Sequence, residues 1–113
     1  MKTRALELAG PFAAVWGGSP LSAELLLPEA PVALIVLAHG AGADFRHTNM
    51  LNIAEAFSAQ GIASLRFNFP FMEQGRRRVD KPDICVAAIA SAVDAAANEG
   101  LPLFLGEIGR AHV

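Results

Sequence analysis

Residues 32–38, Val-Ala-Leu-Ile-Val-Leu-Ala, are apolar at every position. A strand with one wet face alternates apolar and polar residues. A strand without that alternation is buried on both faces, as in the middle of a sheet covered by helices. The run is far shorter than the ~20 residues that span a bilayer, so no membrane partner is expected. At 113 residues and 11.9 kDa the chain has room for one domain. A disordered chain has low hydrophobicity and high net charge, whereas this one is 53% hydrophobic and 18% charged. Nine Lys+Arg against eleven Asp+Glu leave a net charge of −2, without the basic excess of a nucleic-acid binder. A single cysteine, Cys85, excludes a disulfide-stapled scaffold and suggests a reducing, cytoplasmic setting. Lys2 and Arg4 precede apolar residues, but Glu7, Gly10 and Pro11 interrupt any signal-peptide core, so a mature N-terminus is expected.

Periodicity extends the picture to both sides of the central run. Arg4–Ala9 and Phe12–Trp16, bounded by Gly-Pro and Gly-Gly, predict an early β-meander, and Leu21–Leu27 predicts a third strand closed by Pro28. After a loop over 39–47, Met50, Ile53, Ala54 and Phe57 recur at helical spacing. Thr48 is the expected cap and Gly61 the residue past the end. Ile62–Phe67 predicts a short strand, and Asn68–Lys81 a long polar loop. A second helix is expected from Pro82, with Val86, Ile89, Val93 and Ala96 as its apolar stripe and Gly100 as its stop. Leu101–Leu105 closes the series as a strand reaching Gly106. Strand, helix, strand, helix, strand predicts an α/β fold with a mostly parallel sheet and right-handed crossovers. Ligands of such sheets bind outside the carboxyl ends of the strands, here His39-Gly40, Asn68 and Gly106.

Two segments at those ends carry the candidate chemistry. In Leu37-Ala38-His39-Gly40-Ala41-Gly42-Ala43, small residues let the backbone turn sharply and approach a ligand. Backbone N–H groups in such a corner stabilise a developing oxyanion by about 3 kcal/mol per donor. The plain alternative is a Gly-rich turn after a strand. A dinucleotide-binding G-x-G-x-x-G fails, because Phe45 stands at the third glycine. In Arg66–Arg78, Phe67, Phe69, Phe71 and Met72 suit a pocket mouth, and Arg76, Arg77 and Arg78 suit an anionic group or, more simply, a solvated face. His47 belongs near a helix start, and Cys85 fits a buried small hydrophobe better than a nucleophile. None of Ser19, Ser22, Ser58, Ser64 and Ser91 has glycines at both −2 and +2. Three histidines and one cysteine show no metal-ligand spacing, so neither metal nor cofactor is expected.

Leu37–Ala43, followed by Arg66-Phe67-Asn68-Phe69-Pro70-Phe71-Met72-Glu73-Gln74-Gly75-Arg76-Arg77, resembles the α/β-hydrolase-like family of testis-expressed protein thirty and NSL-complex subunit three. That family has bacterial members close to dienelactone hydrolases. The resemblance covers roughly 21–106. It implies the N-terminal half of an α/β-hydrolase fold, with His39, Gly40, Ala41, Gly42 and Asn68 on the oxyanion and substrate side. It also implies that a nucleophile elbow should follow Gly106. Glu107–Val113 departs from the pattern, and Ile-Gly-Arg-Ala-His-Val matches one translated frame of a common sequencing adapter. Residues 1–106 are therefore expected to be hydrolase and 107–113 a non-native tail, which removes His112 as a candidate base. In this fold serine, acid and histidine come in that order, all after Gly106. The expectation is a fragment of a serine hydrolase for a small acyl substrate, itself without the nucleophile. The rival is a non-catalytic scaffold, as in the eukaryotic subunit, and a G-x-S-x-G beyond Gly106 separates the two. A nucleotide-binding domain is a weaker third, lacking any P-loop. Oligomeric state is not set by the sequence.

Overall fold

The computed structural model describes residues 1–39, 46–75 and 80–108, with His39 and Ile108 described by backbone alone. Five strands form one sheet: β1 (Lys2–Leu8), β2 (Leu21–Leu27), β3 (Ala33–His39), β4 (Ile62–Phe67) and β5 (Leu103–Ile108), in the order β1-β2-β4-β3-β5. β1–β2 and β2–β4 are antiparallel, while β4–β3 and β3–β5 are parallel. The unbroken apolar run is thus the middle strand of the parallel part, as its composition demands. Leu34, Val36, Leu37 and Ala38 are all buried.

The helices are α1 (Thr48–Ala59), the single turn α2 (Pro70–Glu73) and α3 (Pro82–Ala97). The chain steps from β3 to β4 in one direction and from β4 back across β3 to β5 in the other. With right-handed crossovers, that reversal puts α1 and α3 on opposite faces. Side chains divide accordingly. Leu21, Ala23 and Leu25 of β2, Leu34, Val36 and Ala38 of β3, and Ala63, Leu65 and Phe67 of β4 share one core with Ala88, Ala92 and Ala96 of α3. The alternate residues, Leu26, Leu37, Ser64 and Arg66, face the side where α1 buries Met50 and Ala54.

Several local expectations are corrected. Phe12–Trp16 is no strand: Ala13–Trp16 is a 3-10 turn, closed by Gly17 at φ 101 and tied by the Trp16 indole N–H to the Ser19 carbonyl at 2.7 Å. It packs on α3 and buries Trp16, so the meander loses a strand and gains a lid on the core. The cap of α1 is His47 and not Thr48, which is the first helical residue. The loop over 68–81 contains α2, begun by Pro70 at its first position. On α3, Val86 is 65% exposed, and the buried stripe runs through Ala87, Ala88, Ser91, Ala92 and Ala96. β5 starts at Leu103 and continues to Ile108, pairing Glu107 with Ala38 and Ile108 with His39. Gly61 meets its expected role: φ 80 turns the chain from α1 into β4, and its carbonyl accepts from Val32 N–H at 2.9 Å.

Candidate functional site at the carboxyl edge of the sheet

The parallel register brings three strand ends to one edge. Leu37 lies beside Arg66, and His39 beside Ile108, so the ends of β3, β4 and β5 open together. Reversals of strand order beside such ends leave a crevice for ligands. His39 supplies the last residue of β3. Gly40, Ala41 and Gly42 lie outside the described residues, as do Arg76, Arg77 and Arg78.

Asn68 continues the line of β4 and is 3% exposed. Its N–H donates to the Ser22 carbonyl at 3.1 Å, adding one rung to the β2–β4 ladder. Ser22 N–H in turn donates to Glu73 Oε1, so one residue of β2 holds both Asn68 and the end of α2. On the other side of α2, Phe71 N–H donates to Asp80 Oδ2 at 2.9 Å. A helix's first amides have no partner inside it, and here a distant carboxylate supplies one. Two carboxylates thus fasten the segment that walls the edge next to β4.

The aromatics of that segment do not form a pocket mouth. Phe67 meets Phe69 edge-on at 5.2 Å and 68°, and Phe69 stacks on Phe71 at 6.4 Å and 13°. All three are buried in the α3-side core. Phe67 and Phe69 alternate along extended chain and so share one face, Phe71 joins them from the first turn of α2, and that face is covered.

The opposite face of β4 is polar where an apolar layer would be expected. Arg66 is 1% exposed and pairs with the Glu24 carboxylate across the β2–β4 register. Ser64, also buried, has no hydrogen-bond partner for its hydroxyl among the described residues. Sequence reasoning placed Arg66 in the pocket-mouth segment and missed its partner. The signal was a cation in apolar Ile62–Phe67 and an anion in apolar Leu21–Leu27. A charge facing a covered layer needs an opposite charge beside it.

Other candidate groups are structural. Burial pushes the Cys85 thiol above the ordinary cysteine range, and the carboxylates of Asp80 and Asp83 push it further. Its S–H points to the Asp80 carbonyl at 3.7 Å, the setting of an unreactive thiol. No cluster of metal-ligating side chains occurs among the described residues. A cavity of about 530 Å³ sits at the other edge of the sheet, between Lys2, Leu27, Pro28, Glu29, Glu99 and Leu101. It lies where β1 begins and β2 ends, away from the carboxyl ends of the parallel strands.

The same arrangement recurs in known proteins. Residues 31–110 match the alpha/beta hydrolase domain. Among solved structures, the dienelactone hydrolase of Anabaena variabilis superposes with a TM-score of 0.75 at 16% identity, over 97% of this chain and 53% of that one. XC6422 from Xanthomonas campestris, an α/β serine hydrolase without a lid, gives 0.73 at 22% identity, over 96% of this chain and 51% of that one. Est1E from Butyrivibrio proteoclasticus gives 0.73 at 16% identity, over 95% and 41%. These likenesses establish the fold. A curated relative, the "Putative phosphoribosyl transferase" of Mycobacterium tuberculosis (strain CDC 1551 / Oshkosh), is 33% identical over 70 residues, 62% of this chain and 16% of the relative. The chain thus spans about half the length of its structural relatives and about a sixth of that curated one. A domain match covering 31–110, on a β1-β2-β4-β3-β5 sheet with helices on both faces, shows that the chain belongs to the α/β-hydrolase family.

Proposed function

We propose that this chain is the first half of a serine-type α/β-hydrolase acting on a small ester or related acyl substrate. The observation that supports the reading is that the buried central strand ends at His39, at the edge where β4 and β5 also end, and that Gly40-Ala41-Gly42 come next in the sequence. Backbone N–H groups in a small-residue corner there would hold the oxyanion formed when a nucleophile attacks the acyl carbonyl. Asn68, anchored to Ser22 just past the end of β4, would bound the substrate side. The nucleophilic serine, its acid and its histidine would come from residues following Gly106 in a longer protein, in the chain order of this fold. The tail from Glu107 would then be foreign to that protein. The 113-residue chain itself would have no triad-dependent turnover. Within the family, the paired motifs favour the branch of testis-expressed protein thirty and NSL-complex subunit three, with a cytoplasmic bacterial member as the source.

The uninterrupted genomic reading frame tests this reading. A G-x-S-x-G shortly after Gly106, in a protein that hydrolyses short-chain esters, supports the enzyme. An extended frame without that serine supports a scaffold and overturns the proposal.

A further inference from the structure

The β2–β4 ladder ends on a rung that a side chain has entered. Ala23 stands opposite Phe67 and Glu24 opposite Arg66, so Ser22 stands opposite Asn68. Facing residues in an antiparallel ladder alternate between pairs that exchange both N–H···O bonds and pairs that exchange none. Asn68 N–H donates to the Ser22 carbonyl at 3.1 Å, which marks this pair as the first kind. The reciprocal bond, from Ser22 N–H to the Asn68 carbonyl, is replaced: Ser22 N–H donates to Glu73 Oε1. The next hydrogen-bonding rung would set Pro20 against Pro70, and neither has an N–H to give. Ser22 N–H is therefore the last donor that β2 can offer to the β4 side.

Local sequence brings Glu73 to that donor. Phe69 is extended, at φ −77 and ψ 160, and Pro70 at the first helical position starts α2. One turn later the chain has come round, and Glu73 N–H donates to the Phe69 carbonyl at 3.2 Å. Asp80 Oδ2 fixes the other end of the turn at Phe71 N–H. A carboxylate is a stronger acceptor for a backbone N–H than a neutral carbonyl, so Glu73 outcompetes the Asn68 carbonyl for Ser22.

We propose that Glu73 is a positioning residue for the candidate site: by taking the Ser22 N–H it stops the β2–β4 ladder at Asn68 and directs the chain off β4 into α2 at the carboxyl edge. Without the carboxylate, the Asn68 carbonyl completes the rung, Phe69 is drawn toward β2, and α2 loosens. The consequence for substrate rests on the hydrolase reading, in which Asn68 bounds the substrate side. The competition between the two acceptors does not.

Nuclear magnetic resonance couplings across hydrogen bonds name the acceptor of an amide, and the intact 113-residue protein serves for the test. In wild type, Ser22 N should couple to the Glu73 carboxylate carbon and not to the Asn68 carbonyl carbon. In Glu73→Ala it should couple to the Asn68 carbonyl carbon. The Met72 and Gln74 amides, which donate to Phe69 and Pro70, should there exchange with solvent about tenfold faster, the low end for one charge-assisted hydrogen bond. Glu73→Gln, which keeps an accepting Oε1, should retain the wild-type pattern. A Ser22–Asn68 coupling in wild type, or its absence in Glu73→Ala, overturns the proposal whatever esters the longer protein hydrolyses. The expected couplings beside a full-length protein without its serine would overturn the hydrolase reading and leave the ladder stop standing.

Discussion

Ser64 and Arg66 stand two residues apart on one covered face of β4, and their partners decide their opposite contributions. The Arg66 guanidinium is desolvated and held by Glu24, whose side chain is 29% exposed. Removing the carboxylate strands a buried cation, which costs about 3–5 kcal/mol when both partners are buried. Because Glu24 keeps contact with water, Glu24→Ala should cost less, about 2–3 kcal/mol, in urea unfolding. Ser64→Ala should instead stabilise by roughly 1 kcal/mol, because it removes a buried hydroxyl that makes no hydrogen bond among the described residues. A loss in Ser64→Ala comparable to that in Glu24→Ala would refute this account of the face. Residue-scale detail of this kind was only half legible in the sequence. The charges in apolar strands were visible, but cross-strand register decides who meets whom, and register is not local.

Elements were legible where large side chains set the period, and misread where small ones did. The β3–α1–β4 unit followed from an unbroken apolar run, a helical stripe and Gly61. α3 was rotated in expectation because Val86 outweighs an alanine in any hydrophobic count. The structure buries Ala88 and Ala92 fully beside Ala96, which the expected stripe contained, while Ile89 and Val93 pack at the margin of the core and Val86 faces out. Small residues let the helix backbone approach β3 and β4 closely, and close approach excludes water as well as bulk does. Ala92→Leu should therefore overpack the contact and cost about 1–3 kcal/mol, seen as a lowered unfolding midpoint. Val86→Ala, at a solvent-facing position, should change stability by less than about 0.5 kcal/mol. α2 escaped the sequence reading for a different reason. It is one turn, fixed by Glu73 on Ser22 and by Asp80 on Phe71, contacts that span 51 and 9 residues.

The whole molecule has two unlike sheet edges. β1 carries Lys2, Arg4 and Glu7, with Arg4 paired to Glu99 at 2.9 Å. Charges of this kind discourage a neighbouring chain from adding a strand. β5 exposes Leu103, Phe104 and Leu105, the last two at 59% and 57%, with no charge before Glu107. An apolar, unguarded edge is an association surface. The 113-residue chain should self-associate in sedimentation velocity, and Phe104→Lys should shift it toward monomer. A monodisperse wild-type monomer at every concentration would contradict this. The α/β fold was legible at this scale because alternation of element types restricts the topology to few choices. The candidate site was legible only as a place, the edge where β3, β4 and β5 end together, because parallel pairing decides which strand ends meet; under the proposed function its nucleophile would come from later sequence.

The most direct measurement is hydrolysis of a short-chain p-nitrophenyl ester by the protein of the full genomic frame, beside the 113-residue chain. The account predicts turnover by the former, abolished by replacing one serine downstream of Gly106, and none by the latter. Turnover by the 113-residue chain that survives replacement of Ser19, Ser22, Ser58, Ser64 and Ser91 together would contradict it.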